Sequence, residues 1–318
     1  MHRLEPFATL VLNVPANRIV GFYLVIQSLS VVAWWLVLWS FPASSSWFLP
    51  SQWQRERLAD FGLPDLLLIA LGSAFAAEAA FRGRRWAATA IWALTGACWY
   101  PTLYCISISL RTGEAWIASA MMSCMAGMTL AMATVYGTPS QSPAAVRVTS
   151  MNPRSAVIWT LAQTVVFWGI FLGVLPQGII ELERHLGIGL FHHSGQSIAA
   201  GALFGFASVV GLWSGIVMAT RGDGTPLPTA TAPALVQAGP YRWVRNPMAV
   251  AGIAQGIAVG WYCGSAGVIA YALLGAATWH CFVRPVEERD LADRFGAAYT
   301  AYQQQVGLWL PRRPQEPS

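Results

Sequence analysis

The sequence predicts an all-α, polytopic membrane helix bundle, and three observations carry that prediction. Only 10% of the 318 residues are charged while 55% are hydrophobic, against about 25% charged in water-soluble domains, so a soluble fold is excluded. The apolar residues come in uninterrupted runs of about 20, enough at 1.5 Å per residue to cross a ~30 Å hydrocarbon layer. These runs lack the period-two alternation of a transmembrane strand. Every backbone amide must then be satisfied within its own helix.

About eight transmembrane helices are expected, over 19–41, 63–81, 86–110, 115–136, 155–180, 197–220, 247–263 and 266–283. The first run is long enough to span and lacks a small-residue cleavage pattern, so no cleavable signal peptide is expected. All 19 basic residues are Arg. With eight spans and the N-terminus inside, fifteen of them fall on the inner side, among them Arg3, Arg18, Arg82, Arg84, Arg85, Arg221, Arg242, Arg245 and Arg284. Arg55, Arg57, Arg111 and Arg184 remain outside. The positive-inside rule therefore predicts an integral membrane protein with both termini cytoplasmic. The same asymmetry, with attraction to anionic lipid, accounts for the net charge of +5, so no nucleic-acid partner is implied.

Residues 1–150 form one expected region, a four-helix membrane unit whose residues name no chemistry. Glu78 lies four residues before Arg82 near a helix end and is expected to form an interfacial ion pair. The five cysteines, Cys98, Cys105, Cys124, Cys263 and Cys281, have no metal-ligand spacing and read as small core residues. His185, His192 and His193 read as interfacial polar anchors, so no metal is expected.

Pro139, Ser140, Ser142, Pro143 and Pro153 mark the stretch Thr138 to Arg154 as a boundary, because Pro and Ser oppose helix continuation. The second expected region is 151–318. Its long connection from Arg221 to Arg245 carries Gly222, Gly224, Pro226, Pro228, Pro233, Gly239 and Pro240, so it cannot be helical throughout. Tyr241, Trp243 and Val244 argue that its end is folded and buried. Spans seven and eight turn at Gly264 and Ser265, and Gly252, Gly256 and Gly260 leave one face of span seven as bare backbone for close approach of a helix or a ligand. Beyond the membrane, Leu291, Phe295, Ala298, Tyr299, Tyr302 and Val306 repeat at helical spacing. They predict a C-terminal amphipathic cytoplasmic helix, its aromatic side buried, that stops at Pro311 and Pro314.

Ionisable residues are scarce, so their gathering is informative. Arg242, Arg245, Arg284, Glu287, Glu288, Arg289, Asp290, Asp293 and Arg294 collect at one end of the last hairpin. The run Gly239-Pro240-Tyr241-Arg242-Trp243-Val244-Arg245-Asn246-Pro247-Met248, followed by Glu287-Glu288, Phe295-Gly296, Tyr299, Tyr302, Val306 and Pro311, resembles the C-terminal signature of isoprenylcysteine carboxyl methyltransferases. Membrane phospholipid methyltransferases share a related version. Gly222, Gly224, Thr225, Pro226, Pro228, Leu235 and Val236 resemble the loop that precedes this signature. The resemblance covers residues 200–312 and extends plausibly back to 155.

That resemblance implies a membrane methyltransferase core over 151–318, with S-adenosylmethionine as cofactor. The partner is a lipophilic small molecule or prenylated acceptor reaching the site from membrane lipid. The cofactor has a carboxylate, an ammonium, a ribose diol and an adenine, and so needs a cation, an anion and an apolar wall close together. Arg245 can pair with its carboxylate, and Glu287 or Glu288 can accept from its ribose or ammonium, while Tyr241 and Trp243 either wall the adenine or pack the loop. Asn246 and Pro247 complete the cofactor-binding stretch by resemblance. Many relatives carry His at the position of Asn246 and Tyr at that of Ala249, and Asn does not titrate near neutral pH.

Arg284 is the expected partner of an acceptor carboxylate, and Glu288 completes the expected catalytic pair. An amine acceptor would instead have to lose a proton, to Glu287, Glu288 or His280. Two rival readings are a sterol-reductase-like enzyme binding a nicotinamide cofactor and a non-catalytic lipid-binding scaffold. Paired acidic residues favour a cationic cofactor over a 2′-phosphate.

Overall fold

A computed structural model describes residues 15–137, 153–221 and 234–311. Residues 138–152 of the boundary stretch, the first part of the long connection (Gly222, Gly224, Thr225, Pro226, Pro228 and Pro233), Arg3 and Pro314 lie outside the described residues, whereas Pro153, the last proline of that stretch, begins a helix. Eight long helices and no strand occur among the described residues: α1 (Ala16–Ser40), α2 (Glu56–Phe81), α3 (Ala87–Thr112), α4 (Trp116–Gly137), α5 (Val157–His185), α6 (Gln196–Arg221), α7 (Pro247–Cys263) and α8 (Ala266–Gln305). Six are long and apolar enough to cross a membrane; α7 is shorter at 17 residues, and α3 is diluted by Thr, Trp, Tyr and Pro101. Large apolar side chains such as Ile198, Phe206 and Phe75 point outward, 80%, 71% and 65% exposed. That is the surface of a protein solvated by lipid, consistent with an integral membrane protein.

The chain divides into two compact units, Met1–Ser140 with Gln177–Ile188, and Gln141–Pro176 with Gly189–Ser318. The first is built on α1 to α4. Val20, Leu24, Trp35, Ile91 and Leu94 are buried in its core. Hydrogen bonds join the helices there: the Tyr23 hydroxyl lies 3.0 Å from Thr129 Oγ1, which donates to Gln27 Oε1 at 2.9 Å, and Gln27 Nε2 reaches Cys98 Sγ at 3.5 Å. With no hydrophobic drive between helices in lipid, such bonds and close packing supply adhesion. Glu181 caps the start of α4, accepting from the amides of Ala115 and Ile117 at 2.9 and 2.8 Å. Glu78 and Arg82 form the expected ion pair, at 2.8 Å.

Only Cys98 among the cysteines is buried; Cys124 and Cys281 are exposed on outer helix faces, where lipid suits a small apolar side chain as well as a core does. His185 stacks on Trp47 in the first unit, whereas His193 in the second accepts from Trp261 Nε1 at 2.8 Å.

In the second unit α7 and α8 form the expected hairpin, turning at Gly264 (φ +70°) with the Ser265 hydroxyl capping the Val268 amide. A Cβ on Gly256 would sit 2.9 Å from Ala272 Cβ, and one on Gly260 would sit 2.7 Å from Ile269 Cγ1. Both glycines let α7 and α8 touch. A Cβ on Gly252 would meet nothing within 4 Å, so the bare face splits into a packed part and an open one.

The C-terminal amphipathic stretch comes in two pieces. Up to residue 295 it prolongs the apolar part of α8; at Gly296 the backbone (φ +49°, ψ −124°), which only glycine adopts at little cost, breaks the helix, and residues 297–305 form a second helical piece, the last part of α8. It also ends earlier than the prolines suggest, at Gln305, because Val306 turns extended and Gly307 pairs with Val244.

Candidate functional site

Three pieces of chain converge in the second unit: the strap 234–246, the start of α7, and the second half of α8. The strap is folded, as its aromatics indicate. Tyr241 is 5% exposed and packs in a cluster with Val217 and Val236. Gly239 (φ +58°) runs so close to α6 that a Cβ there would lie 3.0 Å from Val217 Cγ2 and 3.3 Å from Trp213 Nε1. Pro240 and Pro247 are fully buried. Trp243 stays half exposed, edge-on to Trp213.

The strap is fastened to the end of α8. The Tyr302 hydroxyl donates to the Tyr241 carbonyl at 2.7 Å, and the Arg245 amide donates to the Gly307 carbonyl at 2.9 Å. Tyr299, Tyr302 and Val306 form a buried cluster with Leu235, Leu291 and Phe295 against it. This is the aromatic side expected of the amphipathic stretch, and its partner is the strap. Burial pushes the Tyr241 and Tyr302 hydroxyls well above their ordinary range, so both keep their protons.

Arg245 is the hub. Its Nη2 donates to Glu288 Oε1 at 2.9 Å, and its Nη1 reaches the carbonyls of Gln303 and Val306, each at 3.2 Å. Its Nε is buried and has no hydrogen-bond partner among the described residues. The other oxygen of Glu288 accepts from Arg284 Nη1 at 3.3 Å. One carboxylate thus bridges two guanidiniums, and none of the three side chains is more than 27% exposed.

The aim of Arg284 is set by its neighbour in sequence. Residues Trp279–Val283 form a π turn in which the Arg284 amide bonds back to the Trp279 carbonyl. The carbonyl of His280 would next take the amide of residue 285, but Pro285 has no N–H. Arg284 Nε supplies the missing donor at 3.2 Å. His280 is held further by Trp309, whose Nε1 donates to its Nδ1 at 3.2 Å, and Trp309 packs edge-on against Trp279. Trp309 lies between the motif residues Val306 and Pro311 without being one of them, and is not among the expected site residues; an aromatic near the chain end carries no local signal of its partner.

Asn246 has two tasks. Its Oδ1 caps α7 by accepting from the Ala249 amide at 3.1 Å, with Pro247 in the first helical position, where its missing N–H costs nothing. Its Nδ2 donates to Glu287 Oε2 at 3.3 Å. Burial first, and the charge of Glu288 second, raise the Glu287 carboxyl to about 7 against the opposing bond from Asn246. Glu287 is nevertheless an exposed residue, its neighbours crowding it without covering it, so a ligand can reach it.

Of the expected site residues, the structure therefore brings together Arg245, Glu288 and Arg284 in one hydrogen-bonded group and Asn246 and Glu287 in a second, adjacent in sequence to the first, at the joined ends of α7 and the apolar part of α8. Tyr241 and Pro247 are buried beside them, in the strap and at the helix start.

These features define an all-helical membrane protein with a charged cluster where the strap meets the last hairpin. Residues 195–298, about a third of the chain, match the family model for phospholipid methyltransferase. The match spans α6, the strap, α7 and most of α8, and it falls in the membrane methyltransferase family that the motif resembles. A membrane methyltransferase is the class this match supports. No curated protein and no solved structure matches the chain.

Proposed function

We propose that the second unit transfers a methyl group from S-adenosylmethionine to a lipophilic acceptor, on the side expected to face the cytosol. One observation carries this reading: the strap and α8, 43 residues apart in sequence, join Arg245 to Glu288 while leaving Arg245 Nε buried and unpartnered. A buried guanidinium N–H without an acceptor is costly, and an anionic oxygen such as the cofactor carboxylate satisfies it. Glu287, reachable from solvent, and Glu288 supply the anionic side for an ammonium or a ribose diol. Tyr241, Asn246 and Pro247 hold the strap in the conformation that presents Arg245. When bound, the cofactor supplies a methyl carbon activated by a sulfonium, so the chain has mainly to align the partners and exclude water.

For the acceptor, the motif resemblance points to an isoprenylcysteine carboxylate oriented by Arg284. One observation favours a second reading, an amine on a lipid headgroup. Arg245 and Arg284 are both engaged by Glu288, whereas Glu287, raised to about 7, is poised to take a proton from an ammonium at neutral pH. Glu287 would keep that proton and leave a neutral amine; the bound cofactor would supply the methyl group, its sulfur–methyl bond breaking as the nitrogen–methyl bond forms and the sulfur leaving as the thioether of S-adenosylhomocysteine.

Detergent-solubilised full chain should bind S-adenosylhomocysteine saturably, and a Glu287→Ala/Glu288→Ala double variant should lose that binding while keeping its far-UV circular dichroism. Binding of a nicotinamide cofactor instead, or of neither, overturns the proposal. Membranes incubated with methyl-labelled cofactor separate the acceptors, since label in base-labile esters indicates a carboxylate and label in base-stable headgroups an amine.

A further inference from the structure

The first unit carries a feature that methyl transfer does not use. The end of α2 reads Gly72-Ser73-Ala74-Phe75-Ala76-Ala77-Glu78-Ala79-Ala80-Phe81, and its small side chains leave a trough along α1. The trough has a volume of about 430 Å³ and is lined by Val25, Ser28 and Leu29 on one side and by Ala74, Ala77 and Phe81 on the other. Its walls are apolar apart from Ser28 and the rim.

That rim is charged. Glu78 and Arg82 lie at the mouth of the trough, 2.8 Å apart, with Arg84 Nη2 3.8 Å from the same carboxylate. Arg85 follows, exposed, and Trp86 is 49% exposed beside it. A Cβ on Gly21 would lie 2.6 Å from the Phe81 ring, which fixes the start of α1, with exposed Arg18, at the same end. Two guanidiniums thus hold one carboxylate at the mouth of an apolar groove, with the exposed Arg85 next in sequence and Arg18 at the start of α1, beside a Trp of the kind that marks a membrane interface.

We propose that this groove holds one anionic phospholipid, with an acyl chain against Val25, Leu29, Ala74 and Ala77 and its phosphate on Arg82 and Arg84. The excess positive charge selects an anionic headgroup over a zwitterionic one. The trough makes the site more than a diffuse basic collar, because a collar alone would attract headgroups without gripping a chain. The proposal is independent of the methyltransferase reading.

Native mass spectrometry on the full chain, released from dodecylmaltoside micelles doped with dioleoyl phosphatidylglycerol or dioleoyl phosphatidylcholine, tests it. One phosphatidylglycerol should stay bound where phosphatidylcholine does not. Retention should fall at least tenfold in Arg82→Gln/Arg84→Gln, and equally in Ala74→Leu and in Ser28→Leu, which fill the groove without touching its charge. Equal retention of both lipids overturns the proposal, as does undiminished phosphatidylglycerol in the charge variant or in both groove variants. Circular dichroism and elution volume show that each variant is folded.

Discussion

Arg245 on the strap and Glu288 on α8 meet at 2.9 Å, and this pair makes one site of two distant stretches of sequence. Removing the arginine would leave Glu288 to Arg284 alone and strip donors from the carbonyls of Gln303 and Val306. Breaking a well-buried pair costs about 3–5 kcal/mol. Arg245 and Glu288 are 13% and 20% exposed, so solvent screening reduces the expected loss for Arg245→Ala to about 1–3 kcal/mol. Thermal unfolding in detergent should record it. Arg245→Lys should recover part of the stability but not S-adenosylhomocysteine binding, since an ammonium reproduces neither the fork nor the spare Nε–H.

Glu287 gives a pH dependence with a definite sign. Its folded-state pKa, about 7, lies above the ordinary 4.5, so the folded chain binds more protons than the unfolded one between those values. The stability linked to this group is fully present below about 4.5 and is lost as pH rises through about 7. Glu287→Gln should therefore melt higher than the wild type at pH 8, and the difference should vanish near pH 4.5. With an amine acceptor, wild-type turnover should rise with pH through about 7 and then level off, and the variant should lose that ascending limb. A carboxylate acceptor would show no such limb in either protein.

The hydrogen bond from Tyr302 to the Tyr241 carbonyl links α8 to the strap from within a buried cluster. Tyr302→Phe keeps the ring packing and removes only the donor, so it should cost about 1–3 kcal/mol, the penalty for an orphaned buried acceptor. A lower melting temperature with S-adenosylhomocysteine still bound at higher ligand concentration is the expected result. Unchanged melting would show that the strap is held without this bond.

Much of this arrangement is legible in the sequence because membrane helices announce themselves by length and hydropathy. The expected span at 247–263 is α7 to the residue, and most others lie within a few residues of the observed helices, while α2 begins earlier, at Glu56, and α8 runs on well past 283. The continuity of α8 is not legible in the same way. The charges from Arg284 onward look like the end of a span, and nothing local says that the helix carries on through them as far as the break at Gly296. The gathering of Arg245, Glu287 and Glu288 follows from the hairpin. That Arg245 would be engaged by Glu288 and two carbonyls does not, since such partners depend on where Val306 and Gly307 fold back. The π turn is half legible: Pro285 marks a carbonyl without a donor, but only the fold shows that Arg284 answers it.

The glycines of α7 offer a graded test of how closely the last hairpin must pack. At Gly260 an added methyl would meet Ile269 Cγ1 at 2.7 Å and its backbone nitrogen at 2.8 Å, and the backbone cannot yield as a side chain can. At Gly256 the obstacle is the Cβ of Ala272, at 2.9 Å, while at Gly252 there is none within 4 Å. Overpacking at such contacts costs about 1–3 kcal/mol. Against this, Ala is a better helix former than Gly by about 1 kcal/mol. Gly260→Ala should therefore destabilise most, Gly256→Ala less, and Gly252→Ala should be neutral or stabilising in detergent unfolding. Gly252 lies in the second turn of α7, six residues after Asn246, so a bulkier Gly252→Leu separates packing from access. If the acceptor approaches along that open face, this variant should raise the acceptor KM at least tenfold while leaving S-adenosylhomocysteine affinity and melting temperature unchanged.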